Sequence, residues 1–189
     1  MTYDPKEHHR RSIRAKRYDY ATCGAYFVTI CTDGRQPLLG EIRNGIVGLS
    51  EVGCMVQMVW NELPLRYPGV ETDAFVVMPN HVHGIVMLAG SGQARGPAPT
   101  LPMVVHRFKS FTTHQHGKAL WQRNYFEHIV RNDRDLDRIR EYIAVNPIRW
   151  SLDRENPHCI GEDEFDRWLR SFKSPVGAGP RACPSTTSP

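Results

Sequence analysis

The 189-residue chain has no apolar run longer than a few residues, far short of a membrane span, and Met1-Thr2-Tyr3-Asp4-Pro5-Lys6 lacks the apolar core of a signal peptide. The expectation is a cytoplasmic protein that does not enter a membrane. Cysteines are few and scattered. Cys23, Cys31, Cys54, Cys159 and Cys183 are odd in number and contain no Cys-x-x-Cys pair, which argues against a zinc knuckle or a disulfide framework and for reduced thiols. Strong net charge is also missing, at +4, but the charge is uneven. Lys6, Arg10, Arg11, Arg14, Lys16 and Arg17 face only Asp4, Glu7 and Asp19 in the first 20 residues. Residues 101 to 140 carry eight Lys/Arg against four acids. Such clustering suits a polyanion partner or a solvated basic face.

The length fits one domain with tails, and 40% hydrophobic with 23% charged residues describes a globular protein. The boundaries read as a basic arm over 1–17, one domain over 18–173, and a disordered Pro/Gly/Ser/Thr tail over 174–189. Tyr26 to Thr32 is an aromatic and β-branched run, the clearest strand. Asn44-Gly45 marks a hairpin between Leu38–Ile42 and Ile46–Leu49. Ser50 caps a helix with Val52, Val56, Val59 and Leu63 on its buried stripe, which Pro64 ends. Residues 89–99 form a Gly/Pro-rich loop. Thr100 caps a further helix that buries Leu101, Val104, Val105, Phe108 and Phe111 and turns His106, Lys109 and Thr113 to another face. Trp121 to Arg131 reads as a strand, Asp135 to about Asn146 as a helix capped by Asn132 or Asp133, and Glu162 to Lys173 as a last amphipathic segment. The mixed order of strands and helices points to α+β.

The stretch Met78-Pro79-Asn80-His81-Val82-His83-Gly84 carries the chemistry. On a strand, His81 and His83 share a face, and two neutral imidazoles can hold a divalent ion once a third ligand joins them. His114 and His116, two apart on a helix, point in different directions and do not form such a pair. Tyr142 and Asn146 lie one helical turn apart, and Pro147 ends or kinks that helix.

These motifs together carry a resemblance. His81-Val82-His83 resembles the paired-histidine motif of the HUH endonucleases, and Tyr142 to Pro147 resembles the nucleophile helix of their single-tyrosine branch. Ala25–Thr32, Phe75–Gly84, Arg107–Ser110 and Trp121–His128 extend the likeness over residues 8 to 152 and make the chain similar to the REP-associated tyrosine transposases. The resemblance implies a central antiparallel sheet with a ferredoxin- or RRM-like core and helices on its faces. The histidines would lie on a central strand and the tyrosine on a helix across the site. It implies Mg²⁺ or Mn²⁺ held by His81, His83 and Asn146, and Tyr142 as the catalytic nucleophile, activated by the metal, a base or an arginine such as Arg138. The product would be a covalent 5′-phosphotyrosine, competent for strand transfer.

The implied partner is single-stranded DNA carrying a palindromic hairpin, bound by a monomer or homodimer. Arg10, Arg11, Arg14, Lys16 and Arg17 of the arm, with His106, Arg107, Lys109, Arg123, Arg138 and Arg149, are expected to hold that DNA. The alternatives are a hairpin-binding regulator without cleavage, and a metal hydrolase that combines the histidines with a carboxylate. The sequence shows no obvious acid near the pair.

Overall fold

The computed structural model describes residues 23–89 and 99–171. The basic arm, most of the Gly/Pro loop and the tail lie outside these residues. Four strands form one antiparallel sheet: β1 (Gly24–Cys31), β4 (Val70–Met78), β5 (His81–Leu88) and β6 (Phe126–Val130), in the order β4-β5-β1-β6. A hairpin of β2 (Gly40–Arg43) and β3 (Ile46–Leu49) stands apart from it, with Asn44 and Gly45 at φ 52° and 76°, as its turn requires. Leaving that hairpin aside, the sheet strands and the helices between them run β-α-β-β-α-β, the split arrangement of a ferredoxin-like core.

Alternation along β5 sorts the molecule into two faces. Val82, Val86 and Leu88 meet α1 (Glu51–Asn61), α2 (Leu63–Arg66) and α3 (Leu101–His116) in one core with Val56, Trp60, Val104 and Phe108. His81, His83 and Ile85 point the other way. There Ile85 joins Leu136, Ile139, Tyr142 and Ile143 of α4 (Asp133–Val145) and Phe165 and Leu169 of α5 (Glu164–Ser171). The paired histidines therefore sit under the helix that carries the tyrosine because their parity on the strand differs from that of the valines. Gly84 makes this possible from behind: a Cβ there would lie 2.4 Å from Trp60 Cζ2 and 2.9 Å from Phe75 Cδ2, which stack at 4.3 Å across it.

The caps fall where the side chains dictate. Ser50 accepts from Gly53 N at 3.0 Å, Thr100 from Met103 N at 3.3 Å, and Asn132 from Asp135 N at 2.9 Å. Three boundaries differ from the sequence reading. The stripe ends at Asn61, and Pro64 opens α2, where its missing N–H costs nothing. The last helix begins at Glu164, after Asp163 has accepted from Phe165 N. The strand expected over Trp121 to Arg131 is only Phe126–Val130; Trp121 makes a single bridge to Thr32, and Lys109 Nζ donates to the carbonyls of Gln122, Arg123 and Asn124. A cation that ties three carbonyls holds this segment as a loop. Cys31, Cys54 and Cys159 are free thiols, and no helix among the described residues is long and apolar enough to cross a membrane.

Candidate active site

His81 Nε2 and His83 Nε2 lie 3.0 Å apart, and each is 3.6 Å from Asp153 Oδ2. All three residues are buried. Such edges match ligands held roughly 2.0–2.2 Å from one ion, so the group fits a divalent metal. The fit is strengthened by a neighbouring orphan: Asn146 is 1% exposed, and its Oδ1 has no hydrogen-bond partner. A buried acceptor without a donor costs about 1–3 kcal/mol, which a cation would offset.

Asp153 is the acid that the sequence seemed to lack. It closes a short 3-10 turn (Trp150–Leu152) after α4, eleven residues past Tyr142, in a stretch without periodicity to betray which way its side chain points. Its presence adds a carboxylate to the neutral set expected of His81, His83 and Asn146. The Asn146 amide nitrogen donates to Asp153 Oδ2 at 2.9 Å, while its oxygen, the expected ligand atom, has no hydrogen-bond partner. Burial opposes ionisation of Asp153, but the two imidazoles and the Asn146 amide outweigh it and hold the carboxyl well below its usual range.

The histidines are oriented from behind. Asn80, in the β4–β5 turn, donates through Nδ2 to Glu155 O at 2.7 Å and to Arg35 O at 3.3 Å, so its Oδ1 must be the acceptor of the 2.9 Å bond to His81 Nδ1. That fixes the proton of His81 on Nδ1 and leaves the Nε2 lone pair facing His83 and Asp153. His83 Nδ1 meets Thr29 Oγ1 at 2.9 Å, its cross-strand neighbour on β1. Glu155 N donates to Asp153 Oδ1 at 2.7 Å, and the Glu155 carboxylate is held by Arg35 at 2.8 Å and Arg154 at 3.1 Å. A continuous set of bonds thus runs from His81 through Asn80 and the Glu155 peptide to Asp153. Burial and the neighbouring His83 push His81 down to about 3, so it is neutral at physiological pH. Cys31, which donates to Glu155 Oε2 at 3.4 Å, is pushed up to about 12 by burial and is no nucleophile.

Tyr142 projects from α4 with its hydroxyl 3.3 Å from His83 Nε2. The ring stacks on Phe165 of α5 at 3.8 Å. Burial, with the carboxylates of Asp153 and Asp166, raises its pKa well above that of a free phenol. Tyr142 also borders a cleft of about 340 Å³ whose rim carries Arg134, Arg138 and Arg149. Arg138 pairs with Glu164 at 3.3 Å and lies over the Trp168 ring, and Arg149 reaches Asp163 at 3.5 Å. Neither is hydrogen-bonded to the phenol; both stand beside Tyr142 on the lining of the cleft.

Of the expected DNA contacts, His106, Lys109 and Arg123 border a different groove, between α3 and the 121–125 loop, while Arg107 is exposed outside it. Lys109 is committed to the loop carbonyls, and burial pushes its pKa down to about 8. Arg10, Arg11, Arg14, Lys16 and Arg17 lie outside the described residues.

Comparison with known proteins adds the following. An uncharacterised protein of Haemophilus influenzae is 38% identical over 172 residues, covering 80% of this chain and 96% of its own. A second H. influenzae protein, provisionally named a REP-associated tyrosine transposase, is 25% identical over 143 residues, covering 70% of this chain and 75% of its own. The REP-associated tyrosine transposase of Escherichia coli K12 is 31% identical over 80 residues, 42% of this chain and 45% of that one. Among solved structures, a REP-associated tyrosine transposase bound to a REP hairpin superposes with a TM-score of 0.56 at 25% identity, covering 73% of this chain and 74% of the other. No family model matches the sequence.

Proposed function

The chain belongs to the REP-associated tyrosine transposases, and from that premise we propose that it cuts and transfers single-stranded DNA beside a hairpin, with Tyr142 as nucleophile and Mg²⁺ or Mn²⁺ on His81, His83 and Asp153. The observation that carries the reading is the convergence of the phenol and the metal-fitting group on His83 Nε2. A divalent cation there would draw charge from the phosphate oxygens and ease loss of the phenol proton. The chain's own groups do the rest. Asn80 and Thr29 hold both imidazoles in register, Asn146 steadies Asp153, and Arg134, Arg138 and Arg149 offer positive charge on the rim where a phosphodiester would approach.

The Tyr142 oxygen forms a bond to phosphorus as the bond to the 3′-oxygen breaks. The 5′-phosphate remains on the protein and a 3′-hydroxyl leaves. Because the phosphotyrosine keeps the bond energy, a second 3′-hydroxyl can attack it and restore the tyrosine, which is strand transfer.

Asp153 also supplies the carboxylate that a two-histidine metal hydrolase would need, so water rather than tyrosine is the competing attacker. The products separate the two. A hairpin oligonucleotide labelled on the 3′ side of the cut, incubated with Mn²⁺, is expected to leave its label on denatured protein at Tyr142, and Tyr142→Phe is expected to bind DNA but form no adduct. Free 5′-phosphate ends made at an undiminished rate by Tyr142→Phe would establish the hydrolase. Hairpin binding with no cleavage by the parent would establish a regulator.

A further inference from the structure

The groove between α3 and the 121–125 loop encloses about 560 Å³, more than the cleft beside Tyr142, and the chemistry above makes no use of it. None of its eleven lining residues is acidic. His106, His114 and Arg123 are exposed at its rim, and Trp121, 8% exposed, and the half-buried Tyr125 line its wall. The indole nitrogen of Trp121 is already committed to Thr112 Oγ1 at 2.7 Å, which pins the ring. Lys109 braces the opposite wall through the loop carbonyls. Arginines elsewhere, such as Arg66, Arg138, Arg140 and Arg149, are paired with carboxylates, whereas Arg123 makes no ion pair among the described residues. A pinned aromatic wall beside an unneutralised guanidinium suits a ligand that is flat and apolar at one end and anionic at the other.

The groove is joined to the active site by backbone. Gln122 N donates to Cys31 O at 2.9 Å, Trp121 bridges Thr32, and Cys31 stands opposite His81 in the sheet. Adjacent strands lie about 4.8 Å apart, so the Trp121 backbone lies roughly two strand spacings from that of His81, and the groove beside α3 opens on the other face of the sheet. We propose that this groove takes one unpaired nucleotide of the strand being cut, with its base against Trp121 and Tyr125 and its phosphate on Arg123. The proposal rests on the single-stranded DNA reading above. It adds a protein-read position a few nucleotides from the scissile bond.

The test uses the full chain in chelator, so that binding is read without cleavage, and a hairpin oligonucleotide with single-stranded flanks carrying 2-aminopurine at successive positions. Quenching is expected at one flank position. Arg123→Ala should abolish that quench, weaken binding about tenfold and lower the salt slope by about one. Lys118→Ala, exposed beyond the end of α3, should leave all three unchanged. Uniform quenching or none, no effect of Arg123→Ala, or displacement of the oligonucleotide by polyglutamate as readily as by DNA would overturn the assignment. Adduct formation at Tyr142 is scored separately: an adduct without the localised quench removes the groove proposal alone, and the quench without an adduct removes the cleavage reading alone.

Discussion

At the scale of single residues, the site depends on which atom of each side chain is left free. Asn80 can act on His81 only because its amide nitrogen is already held by two carbonyls. Asn80→Ala should therefore weaken Mn²⁺ binding by roughly ten- to a hundredfold, as loss of outer-sphere orientation does, with little change in overall fold. Asp153→Asn should weaken it further by removing the only charged member of the group. Mn²⁺ titration followed by electron paramagnetic resonance reads both, and parental affinity in Asp153→Asn would remove that residue from the metal site.

Asp166 makes a different case. Its carboxyl is buried, Oδ2 has no partner, Arg154 stands 3.5 Å away, and burial pushes its pKa up to about 6. A folded pKa above the unfolded one means that the group favours folding below about pH 4 and that this contribution is lost as pH rises through 6. Asp166→Asn should thus be more stable than the parent at pH 7, by about 1–2 kcal/mol after solvent screening, and the gain should vanish by pH 4. Urea denaturation at both pH values measures it; an equal gain at pH 4 would show that the charge is not the cause.

At the scale of elements, β5 serves two cores, and Gly84 is where they are closest to conflict. A methyl group at this position must displace Trp60, which is wedged between Phe75 and Phe108. Gly84→Ala is expected to cost about 1–3 kcal/mol by overpacking. Because residue 84 follows His83 on the same strand, the shift should also widen the histidine pair and lower metal affinity. Calorimetry alongside Mn²⁺ titration would detect both; a variant with the parent's melting temperature would mean that the indole moves freely. The α3–β6 connection teaches a related point. Trp121 to Tyr125 has the composition of a strand, yet one half-buried ammonium claims the carbonyls that a ladder would need.

At the scale of the whole molecule, the described residues pair most arginines with acids, so net attraction for DNA falls on the groups left over. Among the described residues these are Arg107 and Arg123 on the α3 side and Arg134 on the rim of the Tyr142 cleft, to which the arm of residues 1–17 is expected to add. Affinity for a hairpin oligonucleotide should fall steeply with salt, and deletion of residues 1–17 should flatten the slope in proportion to the phosphates the arm neutralises. A shallow slope unchanged by the deletion would make the arm a solvated tail. The superposition on the hairpin-bound transposase covers about three quarters of each chain.

The sequence by itself determined most of the strands, the caps, the hairpin turn and the two-residue spacing that puts His81 beside His83, because each is set by local periodicity or by one side chain acting on a nearby backbone group. The tyrosine helix and its Asn146 were legible for the same reason. Only the tertiary structure decided that Asp153 completes the metal-fitting group, that Asn80 orients a histidine as well as making a turn, and that Lys109 braces a loop. Each of these is a contact made through space. An aperiodic acid on a 3-10 turn carries no signal of its direction until α4 and β5 have packed and brought its oxygen within 3.6 Å of both imidazoles.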